Sequence, residues 1–151
     1  MDMGRLRALI ETRFDGLAAK QSWGETSFFY NPGARFANGS YFATLKDRDG
    51  PNDTASGLDR PGAYRLNFGM SPKTFKARFG EKPARPPKGE AITGAWDFTA
   101  QGVLTPHPIY GWMGWAAIVT PREDQLDEVL ELLGEAHERA RKGFEKRARA
   151  T

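Results

Sequence analysis

Between Leu104 and Trp115 the chain reads Leu-Thr-Pro-His-Pro-Ile-Tyr-Gly-Trp-Met-Gly-Trp, with one of its two histidines, His107, clamped between Pro106 and Pro108. A proline fixes its own φ and restricts the residue before it to extended conformations. An imidazole held in such a turn, ahead of an aromatic strand, suits a general acid or base, or a hydrogen-bond donor to a ligand. It also suits a histidine that bonds a backbone carbonyl and locks the loop, with Tyr110, Trp112 and Trp115 in the core.

A second constellation is Leu58-Asp59-Arg60-Pro61-Gly62-Ala63-Tyr64-Arg65-Leu66-Asn67. Asp59 and Arg60 fall in a turn before a strand, and Arg65 and Asn67 share one of its faces. A buried Arg65 needs a carboxylate partner or an anionic ligand. Tyr64, Leu66 and Phe68 should face the helices, so Arg65 and Asn67 are expected on an open, solvated face, where a binding module places polar contacts beside aromatics.

Basic residues mark two further segments. Lys82 to Gly89 reads KPARPPKG and holds Lys82, Arg85 and Lys88; its Pro83-Ala84-Arg85-Pro86 matches P-x-x-P, although a solvated connector is the plainer reading. The C-terminal stretch carries Arg139, Lys142 and Lys146 among its cations, after a mostly acidic run from Arg122 to Glu131. Acid early and base late is what a helix dipole favours. The same cations, with the Lys82–Lys88 loop, could instead contact phosphates of a nucleic acid.

Several chemistries are excluded. With no cysteine there is no disulfide, thiolate metal site or cysteine nucleophile. Dinucleotide, P-loop and nucleophile-elbow motifs are missing. Asp47 to Asp53 superficially resembles a calcium loop, but it lacks the ligand order and the bidentate Glu, and is read as a polar hairpin loop. His107 and His137 would need carboxylates to complete a zinc site, and neither has a His or Glu four residues on. No metal and no cofactor are expected.

The elements that must position these residues follow from periodicity. Asp2 to Phe14 reads as an amphipathic helix. Glu25 to Tyr30, Tyr41 to Lys46 and Ala63 to Met70 read as strands, the last with the clearest period-2 alternation, and Leu17 to Trp23 is a weaker candidate. Ser71-Pro72 starts a short helix that Gly80 closes. An irregular stretch then leads to a central strand from Trp112 to Val119. Thr120-Pro121-Arg122-Glu123 reads as a capping box before a long helix whose apolar stripe runs from Leu126 to Phe144.

A helix, strands joined by short loops, and a long closing helix make an α+β two-layer sandwich: one domain over 1–151, with an antiparallel sheet of about five strands and helices on one face. The 151 residues, 39% hydrophobic and 27% charged with a net charge of +3, suit a globular domain that buries its own core. No apolar run spans a membrane and no secretory signal is read, so a cytoplasmic location is expected.

Taken jointly and in order, LDRPG, YRLN, TF-x-x-x-FG and PHP-x-YGWM resemble a bacterial family of small proteins of unknown function, distantly similar to the MmcQ/YjbR-like proteins. The resemblance runs from about Phe14 to Phe144. It implies the same α+β fold, and for the wider group a DNA-binding role suggested from shape; it supplies no catalytic residue.

The leading expectation is a non-enzymatic binding domain for a small anionic ligand or a macromolecular partner, with Asp59, Arg60, Arg65, Asn67, His107, Tyr110, Trp112 and Trp115 as the contact set. The alternatives are nucleic-acid binding through Lys82, Arg85, Lys88, Arg139, Lys142 and Lys146, and an enzyme using His107 as acid/base with Asp59 orienting it. The sequence leaves the partner open, a second copy of the chain included.

Overall fold

The computed structural model describes residues 1–151. Asp2 caps helix α1 (Met3–Arg13) by accepting the Arg5 N–H at 2.8 Å, and Leu6 and Ile10 are its buried residues. Strands β1 (Leu17–Ser22) and β2 (Glu25–Tyr30) form a hairpin, closed by Trp23 and Gly24 at φ 55 and 73. Two left-handed residues match the twist of a two-residue hairpin loop. Strand β3 (Ser40–Lys46) pairs next, followed after a long loop by β4 (Arg65–Gly69) and helix α2 (Pro72–Phe79). Strands β5 (Leu104–Pro106) and β6 (Trp115–Val119) precede the closing helix α3 (Leu126–Arg149). The antiparallel sheet has the order β1-β2-β3-β4-β6-β5.

Register explains which side is core. Leu66 of β4 lies between Leu45 of β3 and Ile118 of β6, and Phe68 between Ala43 and Ala116. All six join the core that contains Leu6 and Ile10 of α1, Phe75 of α2 and Val129, Leu133, Ala136 and Phe144 of α3. Successive strand residues point to opposite faces. The other face therefore carries Thr44, Lys46, Arg65, Asn67 and Ala117. No helix is long and apolar enough to cross a membrane.

Four details depart from the sequence expectations. The sheet has six strands: β5 is only three residues long, too short for periodicity to show, and sits inside the stretch read as irregular. Strand β6 begins at Trp115, because Gly111–Met113 form a 3-10 turn and Gly114 adopts φ 89. Thr120 caps no helix: at φ 41 its N–H continues the ladder to the Tyr64 carbonyl at 2.8 Å. The cap moves two residues on, where Gln125 accepts the Arg122 N–H at 2.8 Å. Last, the sheet face opposite the helices is covered at its centre by the loop between β3 and β4. Arg65 there is 1% exposed, where open solvent was expected.

Leu66 packs in the middle strand with no exposed surface. Leu66→Ala is expected to cost about 2–5 kcal/mol of unfolding free energy, seen as a lower urea midpoint at unchanged slope.

Candidate functional site

Arg65 is the largest fully buried side chain of the protein. It has no route to water, so each of its five N–H groups needs an acceptor in the fold. Nε donates to Asn67 Oδ1 at 2.7 Å. Nη1 donates to Asp53 Oδ1 at 3.0 Å and to Ser56 Oγ at 2.9 Å. Nη2 donates to Asp53 Oδ2 at 2.5 Å, completing a bidentate pair. The fifth N–H, on Nη2, faces His107 Nε2 at 3.3 Å.

Asp53 and Ser56 reach the guanidinium because the β3–β4 loop is knit to itself. Asp49 accepts the Leu58 N–H at 2.8 Å, and Asp59 accepts the Asp49 N–H at 3.1 Å. Arg60 donates to the carbonyls of Gly57, Ser56 and Thr99 at 2.7, 3.1 and 3.0 Å. Asp59 and Arg60 are thus loop fasteners. The Asp59–His107 pairing considered from sequence is not formed: the carboxylate beside His107 is Asp53, through Arg65.

His107 is 3% exposed. Its backbone N–H donates to the Trp115 carbonyl at 2.8 Å, which fixes the chain beyond β5. Its Nδ1 accepts two backbone N–H groups, from Ile109 at 3.0 Å and Tyr110 at 3.1 Å. A ring nitrogen accepting two donors carries no proton, so the proton of the neutral ring sits on Nε2. Burial, followed by the charge of Arg65, pushes the imidazolium pKa well below the ordinary 6.5, so the ring is neutral at pH 7. Nε2–H and the Arg65 Nη2–H are then two donors facing each other, with no acceptor between them.

From the other side of Arg65 the hydrogen bonds run in one direction only. A guanidinium can only donate, so Asn67 turns its oxygen to Arg65 and its Nδ2 to Thr44 Oγ1, at 2.9 Å. Thr44 accepts there and therefore donates onward to Glu25 Oε2 at 3.0 Å. The line crosses β4, β3 and β2 and ends on a carboxylate. Glu25, Thr44, Asn67 and His107 form the polar floor of an open cleft of about 280 Å³, walled by Tyr41, Tyr110, Met113 and Trp115. A histidine with its proton fixed on Nε2 and a carboxylate held by Thr44 thus line one aromatic cleft.

Of the residues expected from sequence, Arg65, Asn67, His107, Tyr110 and Trp115 come together here. Trp112 turns away into a neighbouring groove, where the Arg85 guanidinium stacks over its ring at 4.8 Å and Lys88 is close by. Lys82 lies against Gly114. On α3, Arg139 donates to the Met70 carbonyl, Lys142 stands 4.0 Å from Glu138, and Lys146 is exposed. His137 Nε2 donates to the Asp15 carbonyl at 2.9 Å among the rings of Phe14, Tyr30 and Phe42, and no three His, Asp or Glu side chains converge as a metal site would require. Sequence reading missed Glu25, Tyr41, Thr44 and Asp53. Glu25 and Thr44 occupy strand positions that share the Arg65 face, a signal that alternation carries; Tyr41, which alternation groups with Ala43 and Leu45, reaches that face through a bulge in the β2–β3 register, and Asp53 has no local signature.

A family of unknown function (DUF6194) matches residues 1–149, and the chain belongs to that family. No curated protein and no solved structure matches it.

Two outcomes follow from the Arg65 network. Asp53→Asn leaves a buried guanidinium without its counter-charge and is expected to cost about 3–5 kcal/mol of stability, whereas Arg65→Met combined with Asp53→Leu costs less than either partner's loss alone. The second concerns pH. The unfolded chain protonates His107 below about pH 6.5, but the folded chain does not, so stability falls with falling pH at up to about 1.4 kcal/mol per unit. Asp53 adds a loss of the same sign at lower pH: burial alone would raise its pKa, but the Arg65 hydrogen bonds and charge outweigh that and hold it below 3.8. His107→Asn keeps an acceptor for the two backbone N–H groups and removes the titration. Urea unfolding at about pH 7.5 and about pH 5.5 should show a smaller drop in this variant than in the parent; equal drops would refute the assignment.

Proposed function

We propose, for a chain whose family carries no activity to transfer, that it is a small-molecule binding domain whose cleft seats an anionic ligand oxygen on His107 Nε2–H. One arrangement carries the reading: His107 lines the cleft, its Nδ1 accepts two backbone N–H groups, and its Nε2, 3.3 Å from the Arg65 guanidinium, then carries the ring proton opposite another donor. A buried donor left unsatisfied costs about 1–3 kcal/mol, which a ligand oxygen would recover on binding. Local charge supports an anion. Lys46 is buried, lies outside every ion pair, and with Arg65 outweighs Asp53 in the charges that act on His107; Glu25, the neighbour of Lys46 across the β2–β3 register, is likewise outside every ion pair. A neutral His107 is suited to donating a hydrogen bond rather than to accepting a proton.

The nucleic-acid reading keeps Arg85 and Lys88 beside Trp112, but loses Arg139 to the Met70 carbonyl and shares Lys142 with Glu138. Kinship with the MmcQ/YjbR-like proteins stays within this proposal and is supported by the order of the motifs alone.

The test is a titration of ¹⁵N-labelled protein with acetate, and separately with a short DNA duplex at two salt concentrations. The Trp115 indole N–H and the His107 ring N–H are observed. Acetate is expected to shift both resonances saturably, and His107→Asn is expected to abolish the Trp115 shift. Silence with acetate, together with DNA-induced shifts that vanish at high salt, would overturn the reading in favour of phosphate contacts.

A further inference from the structure

The half of the cleft away from His107 has different chemistry. Glu25 takes part in no ion pair, and one of its oxygens is committed to the Thr44 hydroxyl. Because Thr44 spends its lone pair on Asn67 and its proton on Glu25, nothing in the relay neutralises that carboxylate. Beside it, the rings of Tyr41 and Trp115 stand at 87° with centroids 5.4 Å apart. Phe29 backs Tyr41 at 4.6 Å, and the Ser27 hydroxyl contacts the Tyr41 hydroxyl at 3.2 Å, so the ring is braced on two sides. Tyr110 is placed by its contact with the His107 ring at 5.1 Å. Perpendicular aromatic rings with a carboxylate alongside are the arrangement that holds an ammonium group: ring faces attract the cation and the carboxylate supplies the charge.

We infer that the cleft binds a small zwitterion, its carboxylate seated at His107 beside Tyr110 and its methylated ammonium in the corner made by Glu25, Tyr41 and Trp115. The inference rests on the carboxylate seat proposed above and adds the ligand's second charge. A bare anion at His107 would gain from Lys46 and Arg65 but would meet Glu25, which faces Lys46 across the β2–β3 register without an ion pair to it; a bare cation would meet the reverse. Only a ligand carrying both charges satisfies both ends. The open volume of about 280 Å³ suits a small molecule. Half-exposed Tyr41, Tyr110 and Met113 are accounted for in the same way, since apolar side chains left in water at a cleft rim gain most when a ligand covers them.

The experiment compares matched probes on the Trp115 indole signal. Glycine betaine and 4-trimethylammoniobutyrate carry both charges at two spacings. 3,3-Dimethylbutyrate is the uncharged-carbon isostere of glycine betaine, acetate carries the carboxylate alone, and tetramethylammonium the cation alone. At least one betaine is expected to bind roughly tenfold more tightly than 3,3-dimethylbutyrate. Glu25→Gln should erase that preference while leaving 3,3-dimethylbutyrate binding unchanged or improved, and Tyr41→Leu, at a half-exposed ring, should weaken the betaine alone. Equal binding of the betaines and the isostere would overturn the zwitterion and leave the carboxylate seat standing. Silence from every carboxylate, with tetramethylammonium shifts lost in Glu25→Gln, would uphold the cation corner and overturn the seat. Silence from all five probes would overturn both.

Discussion

Burying a guanidinium in the middle of a sheet sets conditions that much of the rest of this structure meets. Arg65 sits on β4, flanked by β3 and β6, and its side chain has no access to water. Its charge requires a carboxylate, and the one on the same sheet face, Glu25, is held two strands away at the end of the relay, so a loop brings another. The β3–β4 loop does this with Asp53 and adds Ser56; Asp49, Asp59 and Arg60 hold the loop in the shape that allows it. The loop's geometry is therefore part of the ion pair. On the sheet side the same guanidinium dictates which way Asn67 faces, and through Asn67 which way Thr44 points its proton.

Such a network is poor value as stability. Two charges removed from water are seldom repaid in full, and well-packed apolar groups of similar volume often do as well or better. What the network does supply is orientation. A carboxylate at the end of a donor chain cannot rotate its bonded oxygen without breaking the chain, and an imidazole whose Nδ1 is held by two backbone N–H groups cannot change tautomer. Donor and acceptor are fixed before any ligand arrives, and pre-organisation of that kind removes an ordering cost from binding.

Much of this was legible in the sequence, and the part that was not has a physical cause. Alternation in Tyr64-Arg65-Leu66-Asn67-Phe68 placed the apolar set on the helices and Arg65 with Asn67 on the other face, as found. The two prolines around His107 marked a rigid turn, and the structure shows the ring bonded to that turn's own backbone. The error lay in what covers the far face. Periodicity reports which residues share a face, but it says nothing of the eighteen-residue loop, residues 47–64, that folds back over it without regular structure. Asp53 looked like one more polar residue in Asp47-Arg48-Asp49-Gly50-Pro51-Asn52-Asp53, because its role depends on a partner twelve residues later in a strand. Glu25 was missed for a related reason: hydrophobic strand residues draw attention, whereas the polar positions between them line the cleft.

The tautomer of His107 ties these strands of argument together. Had Nδ1 donated to a carbonyl, as a loop-locking histidine usually does, Nε2 would be an acceptor and would simply receive the fifth Arg65 N–H. The network would then be closed, with nothing left for a ligand. Because Nδ1 instead accepts from Ile109 and Tyr110, the donors outnumber the acceptors by one at the cleft floor. The turn Pro106-His107-Pro108 is what forces the excess. Pro108 has no N–H to offer, so the first backbone donors that the ring can meet are those of Ile109 and Tyr110, one turn further on. The clamped histidine does lock its own turn, but by accepting two backbone N–H groups rather than by bonding a carbonyl, and that inversion is what leaves the ring proton on Nε2.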